Sequence, residues 1–245
     1  MSGERPPGRR SIVSSGAMTP NDNATAHAAE DYASEVKKTI PCHAQMIDLA
    51  IEIGFAAVPG ATSWLDTGCG PGTLVAEARR FAPDVAFFLA DPSPAMLALA
   101  RAKNPEIPAE NFLPYPSHAL LDVGMFDVIT AVQSHHYYAE PSGRERALLR
   151  CLALLRPGGA LLVFENVRAE TDLGHALQRR RWTAFQHSQG RDQATVDAHL
   201  ARENTKFFPL RVSEHLALLE RVGFPTVETI WRAHSQAGFL AIAPL

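Results

Sequence analysis

"WLDTGCGPGTL", residues 64–74, sets glycines at 68, 70 and 72 just after Asp66, the acid that closes a short apolar run. Glycine adopts positive φ at no steric cost and lets a ligand touch the backbone itself. Three of them at alternate positions clear the side chains from one face of a turn. The apolar run over 61–65 predicts a strand and the residues from Thr73 a helix, so the turn falls at the carboxyl end of a strand. Open α/β sheets bind ligands there, where the strand order reverses. The free N–H groups of the following helix favour an anionic group or a carboxylate. A dinucleotide fingerprint needs G-x-G-x-x-G, and residue 73 is Thr. The bland alternative is a tight structural turn. Asp91, which ends the next apolar run, weighs against it, because an acid there binds both hydroxyls of an unmodified ribose. The same aspartate also suits a helix cap ahead of Pro92.

Working outward, "VAFFLAD" (85–91) predicts a buried strand and "SPAMLALARAK" (93–103) a helix capped by Ser93. "AENFLP" (109–114) is a weaker strand, and "FDVITAVQ" (126–133) a strong one. "GRERALLRCLALLRPGG" (143–159) predicts an amphipathic helix stopped by Pro157-Gly158-Gly159, with "ALLVFEN" (160–166) as the next strand. Upstream, "DYASEVKKTIPCHAQMIDLAIEIGFA" (31–56) predicts two helices broken at Pro41. Downstream comes a polar helical stretch longer than a crossover needs. Leu173, Leu177 and Phe185 share one of its faces, which predicts a packed helical lid over about 170–208. A helix (212–223) and two strands (226–231 and 237–243) complete the chain. The short connection between those strands predicts an antiparallel hairpin. Strands alternating with helices imply a parallel sheet. The expected fold is therefore α/β, doubly wound, with seven strands, mostly parallel, and an antiparallel C-terminal strand.

A chain of 245 residues, 46% hydrophobic, fits one large domain with a real core. No apolar run approaches the ~20 residues that span a bilayer. A net charge of −3 and a pI near 6.4 argue against a nucleic-acid partner. Cys42, Cys69 and Cys151 form no CxxC pair, which fits a reducing cytoplasm. Residues 1–30, rich in Ser, Pro, Gly and Asn, predict a disordered tail ahead of a single domain over 31–245. Arg9-Arg10 lacks the apolar segment that a twin-arginine signal requires.

"LDTGCGPG" followed by "ADPSPAML" resembles the first two motifs of class I S-adenosylmethionine-dependent methyltransferases. "FDVITAVQSHHYY" and "LLRPGGALLVFEN" are similar to their later motifs, in the same order, so the resemblance runs over about 60–167. It implies a Rossmann-like sheet and S-adenosylmethionine as cofactor. Residue by residue, it implies that Gly68, Cys69, Gly70 and Gly72 approach the cofactor's methionine part. Asp66 would brace the loop and the amino end, and Asp91, next to Pro92, would hold the ribose. Met96 would flank the adenine, Ser117 or His118 would meet its amine, and Gln133 would offer a backbone carbonyl.

Methyl transfer needs chiefly alignment and exclusion of water. An acceptor that starts protonated also needs a general base. In "QSHHYYAE" (133–140), His135 or His136 is the candidate base, with Tyr137 and Tyr138 as an aromatic wall. Adjacent histidines diverge and no third ligand stands nearby, so no metal is read here. The flanks narrow the resemblance. "YASEVKKTIPCHAQMI" (32–47), "WTAFQHSQG" and "ARENTKFFPLRVSEHLALLERVGF" are similar to the carboxy-S-adenosylmethionine synthase group. The arginine that grips the extra carboxylate in that group aligns with His199 here. Methyl transfer to a small-molecule acceptor therefore leads. A carboxy-cofactor synthase and a non-catalytic cofactor-binding protein stand behind it. The shared lid implies a homodimer.

Overall fold

The computed structural model describes residues 24–245. Most of the tail expected over 1–30 thus lies outside the described residues. Residues 24–30 rest on the domain: Arg202 donates to the Ala24 carbonyl at 2.7 Å, and His27 Nε2 meets Thr39 Oγ1 at 3.0 Å.

Helices α1 (Tyr32–Thr39) and α2 (His43–Ala57) come first, parted at Pro41. Then β1 (Ser63–Thr67), α3 (Thr73–Phe81), β2 (Ala86–Ala90), α4 (Pro94–Lys103) and a two-residue β3 (Phe112–Leu113) alternate. Next are β4 (Phe126–Val132), α5 (Pro141–Leu154) and β5 (Leu155–Arg168). Helices α6 (Asp172–Ser188) and α7 (Gln193–Leu200) fill the stretch expected as a lid. The chain closes with β6 (Leu210–Arg211), α8 (Val212–Val222), β7 (Thr226–Ala233) and β8 (Gln236–Ile242).

The sheet runs β3-β2-β1-β4-β5-β8-β7, with the short β6 beside the end of β5. Strands β3 through β5 are parallel, while β8 is antiparallel to both β5 and β7. The order reverses between β1 and β4, and the crevice that such a reversal opens lies at their carboxyl ends. Strand side chains alternate faces. Leu65, Ile129 and Leu161 therefore pack on one side with α5 and α8. Trp64, Val128 and Leu162 pack on the other with α2, α3 and α4. Parallel strands buried on both faces explain their unbroken apolar runs.

Two expectations need correction. The helix over 143–159 ends at Leu154, and Pro157-Gly158-Gly159 lies inside the first residues of β5. Gly158 takes φ +72°, and the register with β4 shifts between Phe126 and Val128, so the glycine sits at an irregular strand start and ends no helix. The apolar face expected of the segment over 170–208 is also largely outward: Leu173 is 78% exposed and Leu177 49%, and only Phe185 of the three is half-buried, its ring 6.0 Å from that of His234. The buried side of α6 is polar, carrying Gln178 and Gln186. Polar anchors dock it on α1, with Trp182 Nε1 donating to the Thr39 carbonyl at 2.6 Å and Arg191 pairing with Glu35 at 2.5 Å.

Helix α2 crosses the sheet at Gly54, where an added Cβ would sit 2.2 Å from the Trp64 ring. Gly→Ala inside a helix ordinarily stabilises by about 1 kcal/mol. Here the fixed indole leaves no room, and overpacking of this kind costs about 1–3 kcal/mol. Gly54→Ala should therefore lower the midpoint of urea unfolding, the reverse of the helix-propensity expectation.

Candidate active site

The glycine turn follows β1 at the sheet's switch point, and its three glycines have different reasons to be small. At Gly68 a Cβ would lie 2.3 Å from Ser134 Cβ, so this position lets the loops after β1 and β4 touch. At Gly72 it would lie 2.7 Å from Asn104 Nδ2 and 3.0 Å from Ala100 Cβ. Gly72 thus serves the packing of α3 on α4 and does not line the crevice, contrary to expectation. Only Gly70 faces open space, at φ +53°. The N–H groups of Gly68 and Cys69 both donate to the Ala90 carbonyl, and that of Gly72 to the Cys69 carbonyl. Gly70 N donates to Asp91 Oδ2 at 2.9 Å. The turn offers a bare backbone surface whose own donors are already engaged.

Beside it opens a crevice of ≈300 Å³, lined by Asp66, Gly68, Cys69, Gly70, Asp91, Pro92, Met96, Ser117 and Gln133. Ile47 and Leu74 add apolar wall. Asp91 ends β2 with one oxygen on Gly70 N and the other on Ser93 N at 2.9 Å. Asp66 is buried in β1, and Thr130 Oγ1 donates to it at 2.7 Å. Burial pushes the Asp66 carboxyl up to about 7, against the Thr130 hydrogen bond and with help from the Asp91 charge. Burial also holds the Cys69 thiol well above its usual range, so it is an inert filler. The described lining contains two carboxylates and neither Lys nor Arg. His118, the other candidate near the adenine edge, is exposed and bonds Tyr138 Oη at 3.0 Å.

Beyond β4 the chain turns sharply at Gln133, a non-glycine residue at φ +52°. His135 and His136 follow, each 1% exposed, and neither lines the crevice. The expectation that one imidazole enters it fails for an identifiable reason, Glu165 of β5. This carboxylate accepts the backbone N–H groups of His135 and His136, each at 2.9 Å, and His136 Nδ1 at 2.5 Å. His135 instead bonds Ser117 Oγ at 3.0 Å, and burial lowers its imidazole to about 4. The pair is a buried support under the crevice. Of the four rings in this loop, Tyr137 and Tyr138 reach it.

A smaller cavity of ≈80 Å³ adjoins the crevice between α1, α6, the 199–209 segment and the ends of β5 and β8. Tyr32, Gln133 and Tyr137 line both spaces. Its wall includes His175, Gln178, Arg179, His199, Arg202 and Glu203. Of these the sequence marks only His199 and Arg179, the latter in an Arg179-Arg180-Arg181 run that reads as a solvated helix face before an anion clamp; α6 shows no other motif.

Residues 65–161 match the family model described as "Methyltransferase domain". That stretch, from β1 into β5, is similar to a methyltransferase domain. The carboxy-S-adenosyl-L-methionine synthase of Wolinella succinogenes is 26% identical over 232 residues, covering 90% of this chain and 91% of that protein. Among solved structures, an O-methyltransferase family protein from Burkholderia thailandensis superposes with a TM-score of 0.66 at 16% identity. The match covers 89% of this chain but 60% of that one. The N-methyltransferase NodS from Bradyrhizobium japonicum, in complex with S-adenosylhomocysteine, gives 0.55 at 12% identity, covering 86% and 91%. These structural likenesses show the shared fold.

The Asp66 carboxyl makes a prediction that needs no ligand. Its native pKa of about 7 lies above the ordinary 3.8, so its stabilising contribution is full below pH ~4 and is lost as pH rises through 7. Asp66→Asn keeps an oxygen for Thr130 and removes the buried charge. Urea unfolding of the ligand-free protein should show this variant matching wild type near pH ~4 and exceeding it by a few kcal/mol, order of magnitude, near pH ~8.

Proposed function

We propose that the protein transfers the methyl group of S-adenosylmethionine to a small-molecule acceptor. The observation that carries this reading is the crevice itself: two carboxylates, an open glycine and no cation among its described lining residues. A pyrophosphate-bearing dinucleotide is repelled by such a floor, whereas a ligand with sulfonium and ammonium charges is attracted. Asp91 meets the ribose hydroxyls, Asp66 faces the amino end, and Gly68–Gly70 present backbone to the methionine part. Met96 lies against the adenine, with Ser117 at its edge. When bound, the cofactor supplies an electrophilic methyl carbon. The chain's part is to hold, align and keep out water. Residues 31–245 act as one domain, the lid over about 170–208 closes the acceptor side, and the lid pairs two chains. A cytoplasmic setting with no nucleic-acid partner fits the cysteines and the charge. Among the described residues, no helix is long and apolar enough to cross a membrane.

A carboxy-cofactor synthase is the second reading, favoured by one observation. His199 is brought to about 4, first by burial and then by cationic neighbours, and it bonds Gln186, so it supplies no charge for a carboxylate. Arg202, three residues on, lines the same small cavity and is the cation that such a ligand would use. The mass of the co-purified ligand separates the readings, since the carboxylated cofactor is heavier by one CO₂.

Calorimetry with S-adenosylmethionine tests the assignment. Asp91→Ala should cost about 2–4 kcal/mol of affinity, from lost charged hydrogen bonds to the ligand and from release of the turn. Gly70→Val should abolish binding, because its methyls enter ligand space and its positive φ is strained for a β-branched residue. Unchanged affinity in both variants would remove the crevice from the reading.

A further inference from the structure

The small cavity next to the crevice is lined by polar atoms that lack partners. The side-chain oxygens of Gln133, Gln178 and Gln236 are all buried without a hydrogen bond, and all three residues line this space. Each is at least nine-tenths buried. A buried acceptor without a donor is costly, and a cluster of them around one cavity describes the ligand that relieves it.

The surroundings orient these amides. Gln178 Nε2 donates to the His234 carbonyl at 3.4 Å, which turns its oxygen away. Gln236 is set by a longer chain. Glu165, being a carboxylate, only accepts, so the proton of a singly protonated His136 lies on Nδ1 and the Nε2 lone pair faces Asn166 Nδ2 at 3.5 Å. Asn166 Oδ1 then receives Gln236 Nε2 at 3.0 Å, leaving the Gln236 oxygen as the acceptor at the end of the chain.

The cavity also holds a dyad. His175 Nε2 meets Glu203 Oε1 at 2.7 Å, which puts the proton on Nε2 and a lone pair on Nδ1, and Nδ1 is buried without a partner. Arg179 neutralises the other oxygen of Glu203. The remaining cation, Arg202, donates one N–H to the Ala24 carbonyl.

We propose that this cavity is the acceptor subsite, that it takes a compact neutral molecule carrying adjacent O–H or N–H donors, and that His175, oriented by Glu203, is its general base. The inference rests on the methyltransferase reading. Two donors of the acceptor satisfy the glutamine oxygens, and the heteroatom to be methylated lies toward the Tyr32–Tyr137 junction. Its lone pair forms the new bond to the methyl carbon while the carbon–sulfur pair returns to sulfur. The proton it sheds passes to His175 Nδ1. The glutamines accept hydrogen bonds but no proton, so the base has to be the imidazole.

Fragment binding tests this without knowledge of the natural acceptor. The intact protein is loaded with S-adenosylhomocysteine, and catechol, 2-aminophenol, 1,2-dimethoxybenzene and benzoate are titrated while the side-chain amides of Gln178 and Gln236 and the ring nitrogens of His175 are followed by ¹⁵N NMR. Catechol and 2-aminophenol should bind saturably, shift all three residues and exceed the other two by about tenfold or more, the effect of leaving a buried acceptor unpaired. Gln178→Leu should weaken catechol about tenfold and leave S-adenosylhomocysteine affinity within about twofold, which also verifies its fold. Equal binding of 1,2-dimethoxybenzene, no saturable catechol binding, or an unmoved His175 Nδ1 signal overturns the proposal. Preference for benzoate overturns it in favour of an anion site at Arg202. Loss of S-adenosylhomocysteine binding in the wild type would instead strike the methyltransferase reading on which it rests.

Discussion

Glu165 lies fully buried in β5, where an isolated carboxylate would be several kcal/mol too costly to ionise. Burial alone would raise its pKa, yet the neighbouring His136, His135 and Arg144 bring it down to about 2. It is tolerable because three N–H groups converge on it, two from the backbone after β4 and one from His136. That convergence shapes the loop on which the crevice and the small cavity both depend. Arg144 of α5 extends the same cluster, donating to the carbonyls of His135 at 3.1 Å and Phe208 at 2.6 Å. Phe208 N returns to the His136 carbonyl at 2.7 Å. One carboxylate therefore ties the β4 loop, the crossover helix and the far end of the lid segment into a single buried polar network.

The fold was largely legible in the sequence because its signals are local. Apolar runs ended by acids, a cap at Ser93 and the glycine turn sit within a few residues of one another, and the sheet follows from them. The crevice lining was legible for the same reason, since it comes from the ends of consecutive strands. The errors have a common physical source. His135 and His136 looked like a base because they follow β4, but Glu165, 29 residues beyond His136, takes them out of play, and no periodicity reports that pairing. Gly72 looked like a ligand contact until α4 was seen packed against it. The acceptor side was illegible, since His175, Gln178, Glu203 and Gln236 converge from separate elements without a motif.

The reversed lid follows from the same rule of burial. A helix buries whichever face finds partners, and hydrophobicity decides only when the partner is apolar. Here α6 faces α1 and a polar cavity, so Trp182, Gln178 and Gln186 turn inward and Leu173 and Leu177 are left outside. Such an interface is held by directional bonds, among them the indole of Trp182 on Thr39 and the Arg191–Glu35 pair. Polar contacts of this kind exchange readily with water, in contrast to the dry packing of Trp64 and Phe164 under the sheet. Polar and dry packing are thus divided between the two sides of the crevice.

The self-satisfied glycine turn has a consequence for the energetics of association. Because Ala90, Asp91 and Cys69 already hold its N–H groups, the turn has one conformation before any ligand arrives. Entropy that a disordered loop would lose on binding has been lost on folding, so the contact surface is rigid on arrival and only the ligand's own torsions remain to be frozen. Encounter at this end of the site should then be a simple collision with a preformed surface, its rate set by diffusion and by the pull of Asp91, joined by Asp66 once its raised pKa is passed, on a cation.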